Sequence, residues 1–102
     1  MRIEVIGTDD SATPQARAYA EYRLFATVAR HLPVIRSVRV MLAHAKRNGG
    51  PERVTCRVEL VLEPAGSVRT HALGPHPYGA IDRAAERIGD LMARRTTENM
   101  SS

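Results

Sequence analysis

The stretch Arg53–Leu62, RVTCRVELVL, constrains the fold more than any other. Val54, Cys56, Val58, Leu60 and Leu62 alternate with Arg53, Thr55, Arg57, Glu59 and Val61. A period of two puts the first set on one face of an extended strand and the second set on the other. A strand of this kind belongs to a sheet with one face covered and one face wet. The rest of the chain must therefore supply more strands and something to cover them.

It supplies both. RIEVI near the start alternates, with Ile3 and Val5 on one side. After the turn-rich GTDDSAT, Thr13 and Pro14 give a capping hydroxyl followed by a proline suited to the first helical position. The helix they open is predicted to run to about Leu32, stopping before Pro33. Ala18, Tyr22, Phe25, Ala29 and Leu32 form an apolar stripe on it, widened by Leu24 and Val28, with Arg23 and Arg30 nearly opposite. SVRVMLAHA is a second strand facing inward with Val38, Val40 and Leu42, and KRNGGPE is a loop. EPAG is a turn, and SVRTHAL is a fourth strand with Val68, Thr70 and Ala72 inward. GPHP leads into a second helix with Tyr78, Ile81, Ala85, Ile88 and Met92 on its apolar stripe. The last residues, TTENMSS, are polar and read as a loose tail.

The expected order is β-α-β-β-β-α, an α+β fold of four strands with two helices packed on one sheet face. Residues 1–95 read as a single domain and 96–102 as its tail. At 102 residues the chain is long enough for a modest core. Its one cysteine, Cys56, permits no internal disulfide and fits a reducing compartment. No apolar run approaches the roughly 20 residues of a membrane span, and MRIEVIGTDD is no signal peptide. A soluble, cytoplasmic protein is expected.

The formal charge of +4 rests on 14 arginines and one lysine, a balance that favours an anionic partner. Arg83, Arg87 and Arg94 point away from the second helix's stripe. Glu86 and Asp90 stand within pairing distance in sequence, so a merely solvated face is one reading. Arg23 and Arg30 have no acidic neighbour on their own helix, which leaves them open to an outside anion. If the helices lie parallel, both arginine rows join into one surface able to follow an RNA backbone. The open sheet face offers Arg39, Arg57, Arg69 and His71, relieved by Glu4 and Glu59; its plainer reading is solubility.

Other chemistry is missing. The four aromatics, Tyr19, Tyr22, Phe25 and Tyr78, fall in predicted helices, so a sheet that stacks bases is not expected. The histidines form no metal-like pair with one another or with Cys56, and Asp9 and Asp10 show no matching base. Cys56 reads as core. No phosphate-loop or dinucleotide fingerprint is present. No catalytic residue, metal site or cofactor is expected, and the chain does not read as an enzyme.

The element order, with YGAIDRAAERI and RIEVIG, resembles the hibernation-promoting factor and ribosome-associated inhibitor A family over residues 1 to about 95. Tyr78, Ala80, Ile81 and Asp82 match the opening of that family's second helix, and Arg17, Tyr19, Arg23 and Leu24 resemble its first. His76 and Pro77 stand where the family has an acidic cap and a methionine. The resemblance implies a short-form protein that binds the decoding region of the small ribosomal subunit and blocks translation when growth stops. It also implies that Arg23, Arg30, Arg83, Arg87 and Arg94 face ribosomal RNA, with no membrane and no small-molecule substrate involved. On their own residues, Tyr78 reads as a core anchor and Asp82 as a carboxylate suited to the helix dipole. The competing expectation is a protein-interaction module that modulates another regulator through the open sheet face or a strand edge.

Overall fold

The structure, a computed structural model, describes residues 1–7, 9–45 and 50–101, with side chains to residue 95. The elements follow the expected order: β1 (Arg2–Gly7), α1 (Pro14–Val28), a 3-10 turn (Ala29–Val34), β2 (Ile35–Ala45), β3 (Arg53–Leu62), β4 (Ser67–Gly74) and α2 (Pro77–Ser101). The strands form one sheet in the order β1-β2-β3-β4. β1 runs parallel to β2, because a helix-length crossover joins them. β2, β3 and β4 are antiparallel neighbours. The β2–β3 loop lies partly at 46–49, outside the described residues. The β3–β4 turn has Gly66 at a φ of 105°, where a side chain would be strained.

Both helices cover the same sheet face, α1 over β1 and α2 over β4 and β3. Every strand phase falls as the alternation requires: Val38, Val40, Leu42, Val54, Cys56, Val58, Leu60, Leu62 and Ala72 are buried. Leu24, Ile81, Ile88 and Met92 fill the space between sheet and helices. Each such side chain contributes about 1.5–3 kcal/mol by leaving water. Burial pushes the Cys56 thiol up to about 12, so the thiolate needed for chemistry does not form near neutrality.

The helix starts are explicit. Thr13 Oγ1 accepts from Ala16 N at 3.1 Å, with Pro14 first in the helix. His76 takes the place of an acidic cap: its Nδ1 accepts from Gly79 N at 3.1 Å, and Pro77 opens α2. The imidazole thus does a carboxylate's work, provided that Nδ1 carries no proton.

Three expectations are corrected. The α-helix ends at Val28 and tightens into the 3-10 turn, which contains Pro33, instead of running to Leu32. Proline removes a helix donor and clashes with the preceding turn, and the tighter winding avoids both. Second, α1 buries Ala16, Ala20, Leu24 and Val28, while Tyr22 is 70% and Phe25 46% exposed. At about 100° per residue the centres of the expected and observed stripes lie roughly 140° apart. Third, the backbone stays helical to Ser101 where a loose tail was expected. Residues 96–101 hold no glycine or proline to stop it.

Candidate nucleic-acid interface

The two helices run side by side in the same direction. Tyr19 meets Tyr78 edge to face, with ring centroids 5.2 Å apart, near both helix starts. Further along, the Thr27 methyl lies 3.4 Å from where a Cβ on Gly89 would sit, so the helices are still neighbours there. Between these points Tyr19 Oη donates to Asp82 Oδ1 at 2.5 Å, and Arg23 Nε lies 3.3 Å from the same oxygen. Arg23 also donates to Thr27 Oγ1 at 2.9 Å. Four of the residues that carry the family resemblance, Tyr19, Arg23, Tyr78 and Asp82, therefore meet at the seam between the helices. Tyr78 is half-exposed and packs on Tyr19 instead of anchoring the core, and Asp82 serves the seam.

This placement divides the five arginines singled out in the sequence. Arg23 is turned toward α2 and paired with a carboxylate of its own protein, its side chain 30% exposed. Arg30 is exposed on the 3-10 turn at the far end of α1. Arg83, Arg87 and Arg94 lie on the opposite flank of α2, beside β4. Arg83 Nη1 donates to Leu73 O at 2.9 Å, and Arg87 Nη1 donates to His71 O. Arg94 borders Thr70, Arg87 and Asp90. Among the described residues none of the three joins an ion pair, with Glu86 and Asp90 included. The expected single surface made from both helices does not exist. A band along the β4 edge stands in its place.

The band is built by helix spacing against a strand edge. Positions 83, 87 and 94 repeat at four and seven residues and so share one flank. Each anchored guanidinium uses one of its five N–H donors on a strand carbonyl and keeps the others for an outside oxygen. At the other edge, Arg17 donates from Nη1 to Val5 O at 3.2 Å and from Nη2 to Gly7 O at 3.5 Å. Guanidinium groups thus sit on backbone carbonyls of both outer strands, which disfavours recognition by an added strand. The outer side of α1 is of another kind: Ala18, Glu21, Tyr22 and Phe25 beside Ile3, with no arginine among them.

Replacing Asp82 with asparagine tests the seam. The carboxylate accepts from a phenol and faces a guanidinium, but its side chain is 44% exposed and partly screened. Asp82→Asn is expected to cost about 1 kcal/mol, a melting temperature lower by roughly 4–8 °C. The Tyr19 phenol, held above its ordinary range chiefly by the Asp82 hydrogen bond, should titrate lower in the variant. Unchanged melting and phenol titration would refute the network.

One pairing missed in the sequence joins the loop after β1 to β2. His44 Nε2 lies 2.6 Å from Asp10 Oδ1, and Asp9 accepts from His44 N at 2.9 Å and Ser11 N at 3.0 Å. Asp9 and Asp10 therefore do have a basic partner, and the ligand-type atoms of the three residues lie within 4.8 Å of one another. Asp9 is held down at about 2, chiefly by the Ser11 hydroxyl and then by the His44 N–H. His44 is held above the ordinary imidazole range, chiefly by Asp10. The Asp9 contribution to stability is present above about pH 4 and fades as pH falls toward 2. The His44 contribution is full below about pH 6.5 and fades as pH rises through its raised folded value. The clasp is thus strongest between about pH 4 and 6.5. In Asp10→Asn the His44 ring protons should titrate closer to an ordinary imidazole by NMR; an unmoved midpoint would contradict this assignment.

The chain matches the sequence profile of the Sigma 54 modulation protein / S30EA ribosomal protein family over residues 3–98. Among solved structures, the N-terminal domain of Thermus thermophilus Protein Y is 30% identical, with a TM-score of 0.67 over 92% of this chain and 98% of that one. A ribosomal subunit interface protein from Coxiella burnetii is 14% identical, with a TM-score of 0.75 over 95% and 99%, a likeness of fold. No curated protein matches this sequence. Among the described residues no helix is long and apolar enough to cross a membrane.

Proposed function

We propose a role on the ribosome from one premise: the chain belongs to the Sigma 54 modulation protein / S30EA ribosomal protein family, the group of the hibernation-promoting factors. In this reading it is a non-enzymatic translation inhibitor of the cytoplasm. It binds structured RNA of the small ribosomal subunit and occludes the decoding region. Arg83, Arg87 and Arg94 hold the RNA backbone. Arg30 touches it at the far end of the molecule, and Arg23 stabilises the helix pair that carries the band.

The observation behind this assignment is the line of three arginines beside β4, without carboxylate partners among the described residues and two of them fixed by strand carbonyls. Phosphate oxygens suit the remaining donors, and a helix flank of this length spans on the order of 16 Å. The decisive measurement is co-sedimentation of the full chain with purified small ribosomal subunits at low salt. Protein that stays in the supernatant would end this reading.

A further inference from the structure

The cross-strand register sorts the open sheet face into rows. One row reads Glu4, Arg39, Glu59, Arg69 across the four strands. Its charges alternate and neutralise one another: Arg39 lies 3.8 Å from Glu4, and Arg69 2.6 Å from Glu59. The next row reads Ile6, Met41, Arg57, His71 and contains no acid. Among the described residues Arg57 has no ion pair. These two rows border a depression of about 600 Å3 lined by Arg39, Met41, Arg57, Glu59, Arg69 and His71.

The depression has a cationic end and one exposed apolar side chain, Met41, next to it. Arg57 presents a planar fork beside the His71 imidazole, while Met41, 38% exposed, offers a polarizable thioether on the other side of it. That pairing suits an anion attached to a flat, weakly polar body. It also adjoins the arginine band, since the His71 carbonyl accepts from Arg87 while its ring stands on the open face. We propose that an unpaired RNA segment passes from the α2 band around the β4 edge onto the open sheet face, where Arg57 holds a phosphate and Met41 supports a base. This rests on the RNA-binding reading above and extends it to a second face of the sheet. A side chain carboxylate of an acidic peptide would satisfy Arg57 but leave Met41 uncovered, so a nucleotide fits the whole depression better.

The test uses Arg57→Ala, a change at an exposed side chain without an ion pair, and a fluorescent ten-nucleotide oligouridylate. Arg57→Lys is included because it keeps the charge and removes the fork. The wild type should bind the oligonucleotide, and Arg57→Ala should bind it about tenfold more weakly. Its slope of log affinity against log salt should be shallower by about 0.7. Arg57→Lys should fall between the two. Equal affinities and slopes for wild type and Arg57→Ala, or no wild-type binding, would overturn the proposal. So would displacement of the oligonucleotide by decaglutamate at matched charge, which would assign the face to an acidic protein. Co-sedimentation with small subunits, run in parallel, separates the two readings. If the wild type pellets while Arg57→Ala binds the oligonucleotide as the wild type does, only the open-face proposal fails.

Discussion

Small ribosomal subunits mixed with the Arg83→Glu, Arg87→Glu, Arg94→Glu variant are expected to pellet without it. Each reversal replaces a donor proposed to hold phosphate with a repelling carboxylate, and together they remove six units from a chain whose formal charge is only +4. Losing three phosphate contacts at about 1–1.5 kcal/mol each already weakens binding by more than a hundredfold, and repulsion adds to that. Wild-type affinity should fall with salt at a log–log slope of about −2 to −3 if three contacts dominate. Replacing the same residues with glutamine removes the three charges without adding repelling ones, separating lost attraction from repulsion. The glutamine variant should melt within a few degrees of wild type and still lose most of its affinity. Arg23→Gln supplies the contrast: it should lower the melting temperature through the Asp82 pair and change ribosome binding little. A triple reversal that still pellets would remove the band from the interface.

Replacing Gly74 with alanine should damage folding severely. Gly74 ends β4 and pairs with Val54 of β3, while the first turn of α2 presses on it from the other side. A methyl group there would sit 2.5 Å from Ala80 N and 2.9 Å from Gly79 C. Both are backbone atoms held by a helix start, so neither can yield without shifting α2 off the sheet. A cost of about 3 kcal/mol or more follows, a melting temperature lower by roughly 12–24 °C. Gly79→Ala is the control, because its nearest neighbour would be the His76 ring at 3.4 Å. That variant should melt near the wild type. A Gly74→Ala protein of normal stability would show that the strand and helix meet less closely than described.

The sheet was legible in the sequence because its information is local. Alternation at 53–62 and its weaker echoes at 2–6, 38–42 and 68–72 set both the strands and their buried faces. Thr13 and Pro14 marked the first helix start for the same reason. The buried face of α1 was not legible. Ala18, Tyr22, Phe25, Ala29 and Leu32 make as good a helical stripe as Ala16, Ala20, Leu24 and Val28, and of the expected stripe only Leu24 and Val28, placed at its edge, proved to be buried. The choice between them is made by packing against the sheet and the second helix, which only the folded chain supplies. Long-range pairs escaped for a similar reason. Arg23 and Asp82 are 59 residues apart, and His44 and Asp10 are 34 apart. No periodicity links positions that meet only after folding. The α2 arginines do point away from the apolar stripe of their helix, but their contact with β4, away from the first helix, required the fold.

Anchoring of Arg83 and Arg87 on β4 carbonyls bears on how tightly the protein can hold a partner. A long side chain that is first immobilised on binding forfeits about 0.5–1.5 kcal/mol of rotamer entropy. For these two that loss has occurred during folding. On the proposed role the surface is preorganised: an arriving RNA backbone would meet donors already in position, and a footprint of few contacts would still give a long residence time.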